Sequence, residues 1–411
     1  MHFFYGASAQ EIPRRFAFAK AYFGIDFNYT PSYGKSQFLN SLGQTEDFTR
    51  NAYLSPSINI GATHFWGYAD IYVSINTSSI SLKDDKVNTK TRFGAFTGFR
   101  VYPFQLKEYG FSPYIGYKFS PFRYQQENIE GASFKTTNVK STLDIGIGYR
   151  LTNVYFYAGY NQVVNPETDI YLSRTIKSKT TVPNHFFNLG INLMIETTNT
   201  SNNKVSRHFN EEFSKSNRNG LFFGIGPSSA FQLGSSDYNS ELRPFLDANS
   251  QASIFPDLSL GYHFTKLDFT TALSFRSIKQ IREAFDFYQE VNRNSLLLEG
   301  VKFIGDYHGF VPFIGGGISY ENLTLKEIDN DVEITNITSN KMTPIITLGW
   351  DIRPSRKGDW WLLRTSLRYT PILDIKHLNS SLSVQHLEFN FIQFVVFPQR
   401  LTKYNKYISS Q

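Results

Sequence analysis

Along most of the chain, apolar and polar residues exchange at every second position. In segment 65–76, Phe65, Ala69, Ile71, Val73 and Ile75 share one face, with Gly67 between them. Trp66, Tyr68, Asp70, Tyr72, Ser74 and Asn76 share the other. A period of two sends successive side chains to opposite faces of a strand. The same alternation predicts strands at 18–30, 53–63, 90–102, 112–120, 141–151, 153–162 and 184–195. Helical periodicity of comparable length is nearly absent.

The connections alternate in length. Those near 63, 103–111 and 151–153 are short, whereas 31–48, 77–89, 121–137 and 163–182 are long and rich in Ser, Asn, Asp and Lys. Short turns at one end and long loops at the other are expected of a transmembrane antiparallel β-barrel in a Gram-negative outer membrane, with the long loops outside the cell. The expected fold class is all-β.

The pattern occurs twice. Phe23-Gly24-Ile25 returns as Phe223-Gly224-Ile225, Ser112-Pro113-Tyr114-Ile115-Gly116 as Val311-Pro312-Phe313-Ile314-Gly315, and Gly148-Tyr149-Arg150 as Gly349-Trp350-Asp351. Second-copy strands are expected at 220–233, 255–264, 266–276, 295–305, 311–322, 343–353, 360–370 and 386–397. The chain thus reads as a tandem repeat of two eight-stranded units. The expected boundaries are 10–196 and 219–397, with a linker at 197–218 and a periplasmic tail at 398–411.

Composition narrows the picture by exclusion. Aromatic residues make up 17% of the 411, with 39 Phe and 25 Tyr, and charged residues only 18%. Such a chain is not disordered. No apolar run approaches the ~20 residues of a membrane-spanning helix. With no cysteine there is no disulfide, thiolate metal site or thiol nucleophile. The net charge of +6 is scattered rather than striped, so nucleic acid is not an expected partner. At the start, Ala7-Ser8-Ala9 follows an aromatic run and fits a small-x-small cleavage pattern. Residues 1–9 therefore read as the residual end of a signal peptide, with the mature chain beginning near Gln10.

Ser112-Pro113-Tyr114-Ile115-Gly116-Tyr117, Asp144-Ile145-Gly146-Ile147-Gly148-Tyr149 and a last strand ending at Phe397 carry a family resemblance. The chain resembles the small eight-stranded outer-membrane barrels of the OmpA/OmpX type, in the aromatic-rich form common in Bacteroidota that includes the PorT-like barrels. It departs from them in holding two units and in continuing from Pro398 to Gln411. The resemblance implies that insertion reads the terminal aromatic Phe397, a mark absent from Leu193-Met194-Ile195 at the end of the first copy.

One sixteen-stranded barrel is therefore the preferred expectation, with two eight-stranded barrels as the alternative. The polar faces place Asp26, Asp70, Arg92, Arg100, Lys118, Asp144 and Arg150 in the lumen of the first copy. In the second they place Asp257, Asp268, Arg276, Lys302, Asp351, Arg364, Arg368 and Glu388. Each set is close to neutral, which suits two filled barrels, because buried charges need partners. Glu299 and Lys302 cannot both point inward from one strand.

Other candidates are few. Val205, Phe209 and Phe213 recur at four-residue spacing and mark a candidate partner helix within the linker. Segment 278–290 reads either as a helix, with Ile278, Ile281, Phe285 and Tyr288 in a stripe, or as an extended hairpin. His386 and Glu388 share a face near the outer end of the last strand, and His263 lies on a polar face. A His–carboxylate pair is the minimum for a rim hydrolase, but no HExxH, GxSxG or nucleotide-binding motif accompanies it. Trp350, Trp361, Tyr149 and Tyr369 are expected in the interfacial girdle, and Arg14, Arg15, Arg400, Lys403 and Lys406 at the periplasmic edge.

The expected function is non-enzymatic, without metal or cofactor: a porin-like passive channel, with Arg92, Arg100, Arg364 and Arg368 as selectivity candidates. The alternative is a non-conducting structural or scaffold subunit of an outer-membrane secretion or assembly complex, meeting partners through 31–48, 277–293 or 203–216. Partners are outer-membrane lipid and, in the second reading, other envelope proteins.

Overall fold

The computed structural model describes residues 19–83, 87–128, 133–196, 218–233, 236–246, 254–306, 309–353 and 360–409. In chain order the first half holds β1 (Lys20–Thr30), the hairpin β2 (Tyr33–Leu39) and β3 (Thr45–Arg50), β4 (Tyr53–His64) and β5 (Ala69–Asn76). These are followed by β6 (Ile80–Lys83), β7 (Val87–Phe93), β8 (Phe96–Val101), β9 (Tyr109–Asn128), β10 (Ser133–Leu151) and β11 (Val154–Val164). The hairpin β12 (Glu167–Tyr171) and β13 (Lys177–Thr181) precedes β14 (His185–Glu196). The second half holds β15 (Gly220–Gln232), the short helix α1 (Asp237–Leu242), β16 (Phe255–Phe264), β17 (Phe269–Ala284), β18 (Phe287–Phe303), β19 (Phe310–Asp329) and β20 (Val332–Ile352). It continues with β21 (Trp361–Thr370), the hairpin β22 (Asp374–His377) and β23 (Ser380–Ser383), β24 (His386–Val396) and the helix α2 (Pro398–Ser409).

The preferred expectation of one sixteen-stranded barrel is corrected by the pairing. Strand β1 is bonded on one side to β4 and on the other to β14, so that Phe27 faces Pro56 and Leu189. Strand β15 is bonded to β16 and to β24, so that Phe223 faces Leu260 and Val396. A single ring would need β14 on β15 and β24 on β1; instead each half closes on itself. The rings are β1-β4-β5-β8-β9-β10-β11-β14 and β15-β16-β17-β18-β19-β20-β21-β24. Eight strands enclose a space that side chains can fill. The inward charges of each half also find partners within that half, so neither needs the other to close.

Alternation decides which face meets lipid. On β1, Tyr22, Gly24, Asp26, Asn28 and Thr30 are buried inside, while Phe23, Ile25, Phe27 and Tyr29 are exposed outside. Outward Trp350 packs on Phe310, Trp361 on Phe394 and Tyr149 on Phe111, at the end where the short turns lie. Those contacts form the aromatic girdle expected at a membrane interface; Tyr369, also placed there by sequence, lies nearer the opposite end, across from Ile346 and Leu387. No helix among the described residues is long and apolar enough to cross a membrane.

Beyond the opposite, long-loop end the strands run on as hairpins. Phe285–Asp286, Asn330–Asp331 and Leu378–Asn379 all have positive φ. Paired left-handed residues match the twist of two-residue hairpins. Segment 278–290 is thus an extended hairpin rather than a helix. The tail at 398–409 is helical, and Arg400 stacks on Phe397 at 3.7 Å while donating to the Arg218 carbonyl at 2.7 Å.

Candidate functional site

The first barrel is filled around one arginine. Arg100 on β8 donates from Nε to Asp144 at 3.1 Å and lies 3.8 Å from Asp70. The rings of Tyr72, Tyr114 and Tyr157 surround its guanidinium at 4.5 to 4.6 Å. Arginine stacks well on aromatic faces, and does so more strongly away from water. The tyrosine hydroxyls then serve the carboxylates. Tyr22 donates to Asp70 at 2.7 Å, Tyr157 donates to Asp26, and Ser74 donates to Asp26 at 3.3 Å. Lys118 lies 4.8 Å from the rings of both Phe96 and Phe186. Nearer the short-turn end, Arg150 donates to the carbonyls of Thr152 and Leu106 at 2.8 and 3.2 Å. The tyrosines fit because glycines face them: a Cβ on Gly148 would come within 2.1 Å of the Tyr155 hydroxyl.

The second barrel is filled by a chain of arginines and carboxylates. Arg368 on β21 binds Asp257 and, at 2.8 and 3.2 Å, Glu299. Arg364 makes two bonds to Asp351, at 2.7 and 3.0 Å. Arg293 binds Glu321 at 2.5 and 3.0 Å and Glu388 at 3.0 Å, and Arg276 also binds Glu388. His386 lies between the Val384 carbonyl at 2.8 Å and Glu388 at 2.9 Å. The His386–Glu388 pair is therefore a buried link in this network, out of reach from the rim. His263 packs at the other end between the rings of Phe303 and Phe397.

Three residues expected in the lumen lie elsewhere. Arg92 is exposed, and its guanidinium donates to the Asn76 carbonyl at 2.8 Å. The expected strand 90–102 breaks at Gly94–Ala95, so odd residues point inward on β7 and even residues on β8. Asp268 is exposed in the turn before β17, with φ at +44°. Lys302 points outward and donates to the Leu267 carbonyl, while Glu299 takes the inward place. The remaining expected lumen residues, Asp26, Asp70, Arg100, Lys118, Asp144, Arg150, Asp257, Arg276, Asp351, Arg364, Arg368 and Glu388, are all buried inside. Val205, Phe209, Phe213, Arg14 and Arg15 lie outside the described residues.

Burial bears directly on conduction. A side chain beside a water column is exposed to that column. Arg100 is 1% exposed, and Asp144, Asp257 and Arg276 are at 0%. The middle of each barrel is therefore packed with side chains.

Sequence reasoning missed a second feature, the bridge between the barrels. Strand β10 pairs with β17 through Phe134 and Ala284, and the Phe285 N–H donates to the Ser133 carbonyl at 2.8 Å. From the β12–β13 hairpin, Arg174 grips the turn opposite. It donates to the Phe285 carbonyl at 2.6 Å and to both oxygens of Asp329 at 2.6 and 3.1 Å. Those bonds hold the Asp329 carboxyl below the usual carboxylate range. Phe285 keeps φ at +52°, a strained place for a bulky residue. It stacks on Phe134 and packs edge-on to Phe245. These rings belong to one apolar cluster drawn from both halves, including Phe93, Phe122 and Phe186 of the first and Phe245 and Phe287 of the second. At the short-turn end Phe65 meets Phe310 at 5.2 Å. In the sequence Phe285 stood out only as one aromatic of segment 278–290, and nothing there pointed to Phe134 or Arg174 as its partners.

Among the described residues no group of three or more His, Asp or Glu side chains is arranged to hold a metal ion. Closure and the apolar outer face make the chain an integral β-barrel protein of the bacterial outer membrane.

No protein-family model and no curated protein matches the sequence. Among solved structures the chain is similar to Neisserial surface protein A, at 13% identity and a TM-score of 0.32, over 43% of this chain and 97% of that one. It is also similar to Ail, the attachment invasion locus protein of Yersinia pestis, at 14% identity and 0.28, over 43% and 97%. An outer-membrane channel of Pseudomonas putida F1 aligns at 9% identity and 0.22, over 92% and 95%.

Proposed function

We propose that the protein is a non-conducting, non-enzymatic anchor: two filled barrels that hold one composite extracellular cap, as a structural or scaffold subunit of an outer-membrane assembly. The observation that carries this reading is the burial of the inward charges, Arg100 at 1% and Arg276 at 0%. A passive pore selecting by lumen charge needs those groups in water. The shared aromatic cluster supports the second half of the reading, since it fixes two barrels and their hairpins as one outer surface. Burial of His386 and Glu388 supports the absence of rim catalysis.

The near-200-residue offset between matching strands supports duplication of one eight-stranded unit. Ser112–Tyr117 and Asp144–Tyr149 support a source among the aromatic-rich barrels of Bacteroidota, the PorT-like ones included.

The test is single-channel recording of the purified, folded protein in planar bilayers. Silence is the expected result. Steady openings of a size that solutes can use would overturn the proposal and return Arg100, Arg364 and Arg368 to the role of selectivity residues.

A further inference from the structure

Most lysines on the extracellular hairpins have a carboxylate partner. Lys177 pairs with Asp169 at 2.8 Å and Lys179 with Glu167 at 2.7 Å. Lys279 pairs with Glu290 at 2.7 Å and Lys326 with Glu333 at 3.0 Å. Lys135 pairs with Glu283. A group of three cations on the outward face of the first barrel is different. Arg92 of β7 lies directly opposite Arg123 of β9, and both are exposed. Lys90 lies on the same face of β7, one step further from the membrane, opposite Gln125. Among the described residues no carboxylate pairs with any of the three. Glu127, a further step out, accepts from Asn88 at 3.3 Å.

The height of this group is set by its neighbours. On the same outward face, Arg123 is opposite Thr137 of β10. Toward the membrane follow Val139, Leu143 and Tyr117, all exposed. The arginines therefore stand where the apolar belt ends, at the level of lipid head groups. Directly opposed side chains on neighbouring strands have Cβ atoms about 4.5–5.5 Å apart, and like charges there destabilise the sheet. An anion between the two guanidinium groups turns that repulsion into two attractions. Arg92 donates to the Asn76 carbonyl at 2.8 Å, which holds it at the surface and uses one of its N–H donors.

We propose that Arg92 and Arg123, with Lys90 beside them, bind the phosphate of one outer-leaflet lipid head group. The guanidinium fork matches phosphate geometry, and two forks side by side can share one phosphate. Basic groups at the edge of the hydrocarbon region take anionic head groups in this way. The membrane itself presents a lipid phosphate at this height, so its local concentration is high without further contacts. The inference is independent of whether the barrels conduct.

The experiment is native mass spectrometry of the full chain in mild detergent. The protein is titrated with phosphatidic acid, with phosphatidylcholine of the same chains, or with inorganic phosphate. One phosphatidic acid per chain is expected to bind about tenfold more tightly than phosphatidylcholine. Arg92→Gln with Arg123→Gln is expected to abolish that preference. Lys177→Gln with Lys179→Gln, which removes cations that already have carboxylate partners, is expected to leave it unchanged. Should the double arginine variant fail to fold, Arg123→Lys keeps the charge but loses the fork, and is expected to bind phosphatidic acid severalfold less tightly. Equal binding of the two lipids overturns the proposal, as does an arginine variant that binds like the wild type. Displacement of phosphatidic acid by an equal concentration of inorganic phosphate also overturns it, because the site would then belong to a free ion.

Discussion

The two barrels reach the same closed shape with different interiors. In the first, Arg100 lies among tyrosines, and the hydroxyls of Tyr22 and Tyr157 bond the carboxylates of Asp70 and Asp26. In the second, Arg276, Arg293, Arg364 and Arg368 answer Asp257, Glu299, Glu321, Asp351 and Glu388. Both use a ring over a glycine: Tyr155 over Gly148 in one, Phe222 over Gly261 in the other. The phenylalanine has no hydroxyl to offer, so the second barrel satisfies its carboxylates with guanidinium groups. The lesson is that ring closure constrains volume and net charge, and leaves the chemistry of satisfaction free.

That contrast can be broken at its strongest point first. Arg368→Ala leaves Asp257 and Glu299 buried without their cation, and removal of one partner from a buried pair costs about 3–5 kcal/mol. Denaturant titration of the protein in lipid vesicles should show Arg368→Ala losing more than Arg364→Ala, which strands Asp351 alone. Equal losses would mean that the network does not act as drawn.

Replacing a whole pair should hurt less than halving it. Arg364→Leu with Asp351→Leu is expected to fall within ~1–2 kcal/mol of the wild type, because paired apolar side chains avoid stranding a charge. The first barrel should respond more mildly to loss of a hydroxyl. Tyr157 donates to Asp26 and accepts from Asn59 at 2.7 Å. Tyr157→Phe is therefore expected to cost about 1–3 kcal/mol, the penalty of an unsatisfied buried group, in the same titration.

The smallest effects concern the join. Arg174→Ala removes the grip on Phe285 and Asp329 without touching either ring of strands. Its side chain is 35% exposed, so the stability change is expected to be about 1 kcal/mol or less. The readout is motion between the barrels, followed with labels on two introduced cysteines in a chain that has none of its own. The join also depends on pH. The folded pKa of Asp329 is depressed, so its contribution is complete above the unfolded value, roughly 3.9. It is lost as pH falls through the folded value. Inter-barrel motion should therefore be constant from neutral pH to about 5 and increase only in stronger acid.

Much of the architecture was legible because it follows from a period of two. On Phe23 to Thr30 the alternation alone separates the lipid face from the lumen, and the structure has the same separation. Arg92 shows where this reading fails: two residues at Gly94–Ala95 reverse the phase, and nothing in composition marks the reversal. Asp268 shows a second failure, since a residue just before a strand looks like its first polar position.

Although it read the hairpins at 33–50, 80–93 and 167–181 mostly as loops, the sequence by itself determined the all-β class, most of the strands that form the two rings, which face of them is apolar and a near balance of inward charge in each half. These are local properties, carried by side-chain direction along a strand and by the cost of burying an unpaired charge. Only the tertiary structure decided that β14 returns to β1 and β24 to β15. Ring closure is a contact between residues far apart in the chain, and a strand edge accepts any partner of suitable length and pleat. The bridge from Arg174 to Phe285 and Asp329 was decided at the same level, since it depends on where two finished barrels bring their loops together.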